Sequence, residues 1–193
     1  MLRVIRRSMT TNNCVQFGRF QLPPSQVFFE TDLVRGIVNL KPIVPGHVLV
    51  IPKRVVKRFG EMTQEEVVDL WTSVHKIGPM LEKYHGCSAL NIAIQDGVAS
   101  GQSVPHVHVH ILPRKEGDFE RNDDIYEQLE VQNLDKVLVN TAAAAEAGAA
   151  EDSLPTAGTK GGGIGAERLP RSADEMAAEA ASFRLLFPEN APR

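Results

Sequence analysis

Between residues 15 and 52 apolar and polar positions alternate in short runs: VQFGRF, then QVFFE after Pro23-Pro24, VRGIVNL, and HVLVIP after Pro45-Gly46. A period of two punctuated by turn residues predicts antiparallel strands and hairpins. The period changes at Thr63-Gln64-Glu65-Glu66, where a hydroxyl is followed three residues later by a glutamate, the capping box that opens a helix. Val67, Leu70, Trp71, Val74, Ile77, Leu81 and Tyr84 then recur three and four residues apart, one stripe expected to be buried against the strands. Pro79 lies inside that stripe and predicts a kink or a shortened helix near Ile77. Period two returns in SALNIAIQ (88–95) and PHVHVHILP (105–113), read as two strands joined by the loop DGVASGQSV, with Pro105 opening the second strand and Pro113 ending it.

Past Arg114 the pattern weakens. KEGDFERNDD has no apolar period and reads as a mobile loop, followed by a short helix from about Ile125 to Val139. Residues 141–170 are dominated by alanine and glycine, a composition that cannot bury enough apolar surface to offset ordering. A second capping box, Ser172-Ala173-Asp174-Glu175, opens a helix whose stripe Met176, Ala180, Phe183 and Phe187 is expected to dock on the rest. The organisation predicted is a flexible leader (1–14), a folded domain (15–140), an Ala/Gly-rich flexible insertion (141–170) and a C-terminal docking helix (171–193).

At 193 residues the chain is long enough for one domain with a substantial core. A net charge of -3 gives none of the basic surface that duplex nucleic acid demands, so no nucleic-acid partner is expected. Two cysteines, Cys14 and Cys87, make neither a disulfide framework nor a CxxC zinc pair, which favours a reducing, cytoplasmic setting. No apolar run approaches the roughly 20 residues of a membrane span, so no membrane partner is expected. Arg3, Arg6 and Arg7, with no acidic residue before Glu30, leave a mitochondrial presequence as the alternative localisation.

The unusual feature is three of six histidines, His106, His108 and His110, at alternate positions among Val107, Val109 and Ile111. On a strand the apolar residues face the core and all three imidazoles share the other face, roughly 6.7 Å apart. Three readings compete: a merely polar exposed face, a metal site built on neutral imidazole, and nucleophilic catalysis at phosphorus, in which one neutral ring attacks and a second, protonated ring meets the phosphate charge. The metal reading lacks an adjacent carboxylate. The preceding loop offers Gly97, Gly101, Gln102 and Ser103, suited to holding phosphate and equally to an ordinary Gly-rich hairpin loop. There is no P-loop motif and no GxGxxG between strand and helix.

HVHVHILP resembles the His-φ-His-φ-His-φ-φ signature (φ apolar) of the histidine triad superfamily of nucleotide hydrolases and transferases. NLKPIVPGHVLVIP (39–52), QDGVASGQSVPHVHVHILPRKEGDFERNDDIYE (95–127) and RSADEMAAEAASFRLLF (171–187) are similar to its fragile histidine triad branch, the diadenosine triphosphate hydrolases. The resemblance implies an α+β fold with a five-stranded antiparallel sheet, a long helix and a C-terminal helix, the sheet extended across a homodimer. It implies that His108 attacks the α-phosphorus of a dinucleoside polyphosphate to form a nucleotidyl-histidine, which water resolves to AMP. His110 would bond the phosphate oxygens and His106 orient the nucleophile. Gln95 would contact the phosphate chain, Asn39 the ribose, and Gly101, Gln102, Ser103 and Val104 the phosphates. His47 is expected in a supporting role or as a hydrogen-bonded structural histidine; His75 and His85 are expected at the surface. A divalent cation, Mg or Mn, would travel with the substrate phosphates, and no fixed protein metal site is expected. Rival activities are a nucleoside phosphoramidase of the same superfamily and a nucleotide-bound signalling protein. Phe20 replaces a histidine common near the nucleobase in this branch, which leaves stacking but removes a polar contact. The Ala/Gly-rich segment and the N-terminal extension also depart from its pattern, and Trp71 is the sole tryptophan.

Overall fold

The computed structural model describes residues 14–130 and 168–192. The expected leader, most of the Ala/Gly-rich segment and the distal part of the helix expected to reach Val139 therefore lie outside the described residues. The first alternating run folds as a hairpin of β1 (Val15–Phe17) and β2 (Phe20–Leu22), turning at Gly18 with φ 57°. After a 3-10 turn at Pro24–Gln26, β3 (Val27–Glu30), β4 (Val34–Val38) and β5 (Val48–Pro52) follow. With β6 (Ala89–Ile94) and β7 (Val109–Arg114) they form an antiparallel sheet in the order β3-β4-β5-β7-β6. The fold is α+β, with the antiparallel strands that the alternation predicts and the five-stranded sheet that the resemblance implies.

Helix α1 (Gln64–His85) opens on the anticipated capping box, Thr63 accepting from the Glu66 N–H while the Glu66 carboxylate accepts from the Thr63 N–H. It continues past Pro79 to Gly86, so the expected shortening does not occur. Pro79 is exposed and the carbonyl it leaves unpaired, on the turn before it, belongs to exposed His75. The buried stripe is Glu66, Leu70, Ser73, Val74, Ile77, Gly78 and Leu81; Trp71 and Tyr84 are 41% and 49% exposed. Gly78 takes a place on the stripe because a side chain there would meet Leu90 of β6.

The two faces of the sheet have different covers. Val34, Val38, Val48, Val50, Val109 and Ile111 face α1 and α3 (Ala173–Arg184), where Phe28 packs edge-on to Phe183, 5.5 Å between centroids. Met176, Ala180, Phe183 and Phe187 are buried here, each full burial stabilising by roughly 1.5–3 kcal/mol for the larger side chains. Ile37, Leu49 and Ile51 face the other way, against Val15 and Phe17 of the hairpin and Val104. His110 pairs with Leu49 across β5 and β7, which puts it on the hairpin side.

Candidate active site

Only His110 of the three alternating histidines lies in β7. His106 and His108 sit in the extended approach to it, because Pro105 supplies no N–H, the Val107 N–H bonds the Val56 carbonyl, and pairing with β5 starts at Val109. At the far end β7 runs through Pro113 to Arg114, beyond the residues β5 pairs with, so the missing N–H removes no rung between those two strands. The alternation still divides the faces: Val107, Val109 and Ile111 are in the core under α1. The imidazoles are not an exposed face, however, being 0%, 2% and 1% accessible.

Each ring is oriented by a group that can only donate or only accept. The Gly18 N–H donates to His106 Nδ1 at 3.0 Å, so His106 carries its proton on Nε2 and donates it to the Pro52 carbonyl at 3.0 Å. His108 Nδ1 lies 2.7 Å from the His106 carbonyl and must donate, which leaves Nε2 with a lone pair. The Ile43 N–H donates to His47 Nδ1 at 3.1 Å, so His47 Nε2–H donates to His110 Nδ1 at 2.9 Å. His110 therefore carries its proton on Nε2, and that atom is buried without a partner among the described residues. His47 is thus a member of the site, and the Asn39 Nδ2 amide, 3.4 Å from its Nδ1, is a second donor to that same acceptor. A bare nucleophilic nitrogen and an unspent N–H donor stand on rings whose centroids are 5.0 Å apart.

Burial keeps these rings neutral. It lowers the His47 pKa to about 3, helped by the nearby Arg168 and Arg171 guanidiniums, and the His106 pKa to about 4 against the opposing pull of the Pro52 carbonyl. His108 and His110 are also shifted down, first by burial. No protonated ring therefore stands ready for phosphate before substrate arrives; neutral His110 offers an Nε2–H donor instead. Among the described residues no group of three His, Cys, Asp or Glu side chains is placed to hold a metal. Three of the four imidazole lone pairs already accept an N–H, and a metal would have to displace those donors.

The loop before the triad is braced from outside. Asp96 takes both arms of Arg58 and the Phe59 N–H, Gln102 bridges from the Gly97 N–H to the Lys57 carbonyl, and Ser100 bonds the Gly97 carbonyl. The Gln102 side chain is thereby occupied, and Val104 is fully buried in the hairpin core. Gly101, in the left-handed conformation, and Ser103 are half-buried. Gln95 follows β6 one step beyond the Ile94–Val109 pair, level with His108.

Downstream, KEGDFERNDD is tied down by Arg114, which grips Asp118 with both arms and reaches Asn122, and by Arg121 on Asp124 at the start of α2 (Asp124–Glu130). Arg171 anchors the approach to α3 on the Asn39 and Leu40 carbonyls. His75 is exposed, but His85 is half-buried, its ring lying over Gly46, where a Cβ would stand 2.3 Å from Nε2.

Beside the triad is a mostly apolar cavity of about 140 Å³, walled by Phe17, Leu22, Ile37, Leu49, Asn39 and Gln26. Phe17 links the two, its ring 5.4 Å from His108 and 5.6 Å from His106. Phe20 is outside that wall, half-buried with the Arg19 guanidinium 5.1 Å above its ring. Gln26 and Gly18 were not marked by any sequence pattern, since both act across the fold.

A family comparison matches residues 21–117 to the HIT domain. The chain belongs to the histidine triad family. This histidine triad protein is 41% identical over 186 residues to a bifunctional bis(5'-adenosyl)-triphosphatase/adenylylsulfatase of Arabidopsis thaliana, covering 96% of this chain and 91% of that one. It is 46% identical over 173 residues to an asymmetrical bis(5'-nucleosyl)-tetraphosphatase of Schizosaccharomyces pombe, covering 90% and 94%. Its fold is similar to the crystal structure of Plasmodium falciparum diadenosine triphosphate hydrolase in complex with cyclomarin A, with a TM-score of 0.54 and 32% identity over 69% of this chain and 88% of that one.

Proposed function

We propose that the protein is a dinucleoside polyphosphate hydrolase that cleaves diadenosine triphosphate to AMP and ADP. The observation that carries this is the Nδ1–H of His108 held by the His106 carbonyl, which leaves Nε2 as a bare nucleophile near a mostly apolar cavity that a nucleobase would suit. In the first step His108 Nε2 forms a bond to the α-phosphorus and the bond from that phosphorus to the bridging oxygen breaks, expelling ADP. The ring becomes cationic, and its Nδ1–H bond to the His106 carbonyl strengthens as charge develops. His110 Nε2–H bonds a non-bridging phosphate oxygen. In the second step water attacks phosphorus, the P–N bond breaks with its electron pair returning to Nε2, AMP departs carrying the water's oxygen, the released proton passes to solvent, and neutral His108 is restored.

Gln95 contacts the phosphate chain and Asn39 the ribose; Gly101, Ser103 and the backbone of Gln102 and Val104 receive phosphate oxygens. Asp96, the carboxylate in that loop, is taken by Arg58 and Phe59, so a divalent cation, Mg or Mn, is held by the substrate phosphates and not by a protein cage. Two copies pair through the open edge of β6, where Ile92 is 44% exposed. No helix among the described residues is long and apolar enough to cross a membrane, and with Cys14 and Cys87 both free a cytoplasmic setting fits.

The test is product analysis with wild type and His108→Ala on diadenosine triphosphate, diadenosine tetraphosphate and an adenosine phosphoramidate. Wild type is expected to release AMP and ADP from the triphosphate, and the variant to lose at least about 10⁴-fold. Equal cleavage by both proteins removes the nucleophile assignment. Preference for the phosphoramidate favours that rival, and tight binding without turnover favours a signalling role.

A further inference from the structure

We infer that Gln26 is a specificity-determining residue that reads the nucleobase. The inference rests on the hydrolase reading, since it assigns the cavity beside His108 to the base of the attacked nucleotide. Three observations carry it. The cavity is about ten times what a single water needs, and its wall is largely apolar, with Phe17, Leu22, Ile37 and Leu49 suited to the faces of a flat ring. Gln26 belongs to that wall, and only 6% of the residue is accessible. Its side-chain amide makes no hydrogen bond among the described residues, and its donor and acceptor are not sealed in the interior, so both are open to a ligand in the cavity.

The backbone around Gln26 is fixed. Its N–H bonds the Pro23 carbonyl, and Arg184 of α3 clasps the carbonyls of Pro24, Ser25 and Val27 on either side. The side chain therefore leaves from a fixed stretch of backbone, with little of the residue accessible from outside. An amide presents one acceptor and one donor side by side, the pattern that adenine complements with its 6-amino group and an adjacent ring nitrogen. At the opposite end Phe17 and Asn39 connect the cavity to His108 and His47, so a base paired with Gln26 aims its 5'-phosphate towards the nucleophile.

The experiment compares kcat/KM for diadenosine triphosphate with that for the same compound lacking the 6-amino groups, in wild type and in Gln26→Met. Methionine keeps length and apolar bulk while removing donor and acceptor. The ratio between two substrates of one preparation is independent of the folded fraction. Wild type is expected to favour the amino-bearing substrate on the order of 10–100-fold, and Gln26→Met to bring the ratio close to one. An unchanged ratio in Gln26→Met, or no preference in wild type, overturns the inference and leaves the hydrolase reading standing. Wild type that cleaves neither substrate overturns the hydrolase reading and this inference with it.

Discussion

Gly18→Ala tests whether the small N-terminal hairpin orients the triad. Gly18 has φ 57°, the left-handed region, in which a side chain costs about 1–2 kcal/mol. A Cβ there would stand 2.5 Å from Val104 Cγ1, and Val104 is fully buried, so the two must separate by about 1 Å to reach ordinary contact. Overpacking of this kind costs about 1–3 kcal/mol. The total, about 2–5 kcal/mol, corresponds to a fall in Tm of roughly 4–20 °C for a chain of this size. The Gly18 N–H also fixes the proton on His106, and losing that bond is worth about 1 kcal/mol, or roughly fivefold in kcat/KM. Thermal melting and turnover of diadenosine triphosphate well below the variant's midpoint measure both. Trimming the clashing group in Gly18→Ala/Val104→Ala should recover part of the loss, a coupling of about 1–3 kcal/mol. A single variant that melts and turns over like wild type, or a double variant whose loss is the plain sum of the singles, refutes the reasoning.

Two further outcomes follow from the histidine network. His47→Phe removes the N–H that sets the His110 proton on Nε2, and kcat should fall on the order of 100-fold with KM changed much less; a loss confined to KM would mean His47 only shapes the pocket. Because His47 and His106 have folded pKa values of about 3 and about 4 against 6.5 unfolded, the unfolded chain binds more protons between those limits. Their contribution is complete above pH 6.5 and is lost as pH falls towards 4 and 3, about 2 kcal/mol per ring between pH 7 and 5. Chemical denaturation across pH 4–8 should show it, with a smaller slope in His47→Phe.

Local rules made much of this fold legible. Thr63 and Ser172 both cap helices through side chains three residues apart in sequence, and Val107, Val109 and Ile111 point to the core as alternation requires. PGH carries His47 to the site because the turn at Pro45-Gly46 and β5 are local features. What stayed hidden depends on partners far along the chain. Gly18 and His106 are 88 positions apart, Arg171 and Asn39 132, and no periodicity reports such pairs. Trp71 and Tyr84 fit the helical stripe by spacing but stay half-exposed, Tyr84 meeting the edge of α3 through Phe183. The neutrality of His110 follows from burial, which a pattern of residue types does not contain.

The bond that orients His108 is made by the carbonyl of His106 and not by its imidazole. To an electrophile entering the cleft, four clustered rings therefore present a single available lone pair: those on His106, His47 and His110 are each covered by an N–H, and that on His108 is not. Regiochemistry is set by the chain's own N–H groups before any substrate arrives. Reagents that modify histidine indiscriminately in solution should label this protein at one nitrogen of one of these rings.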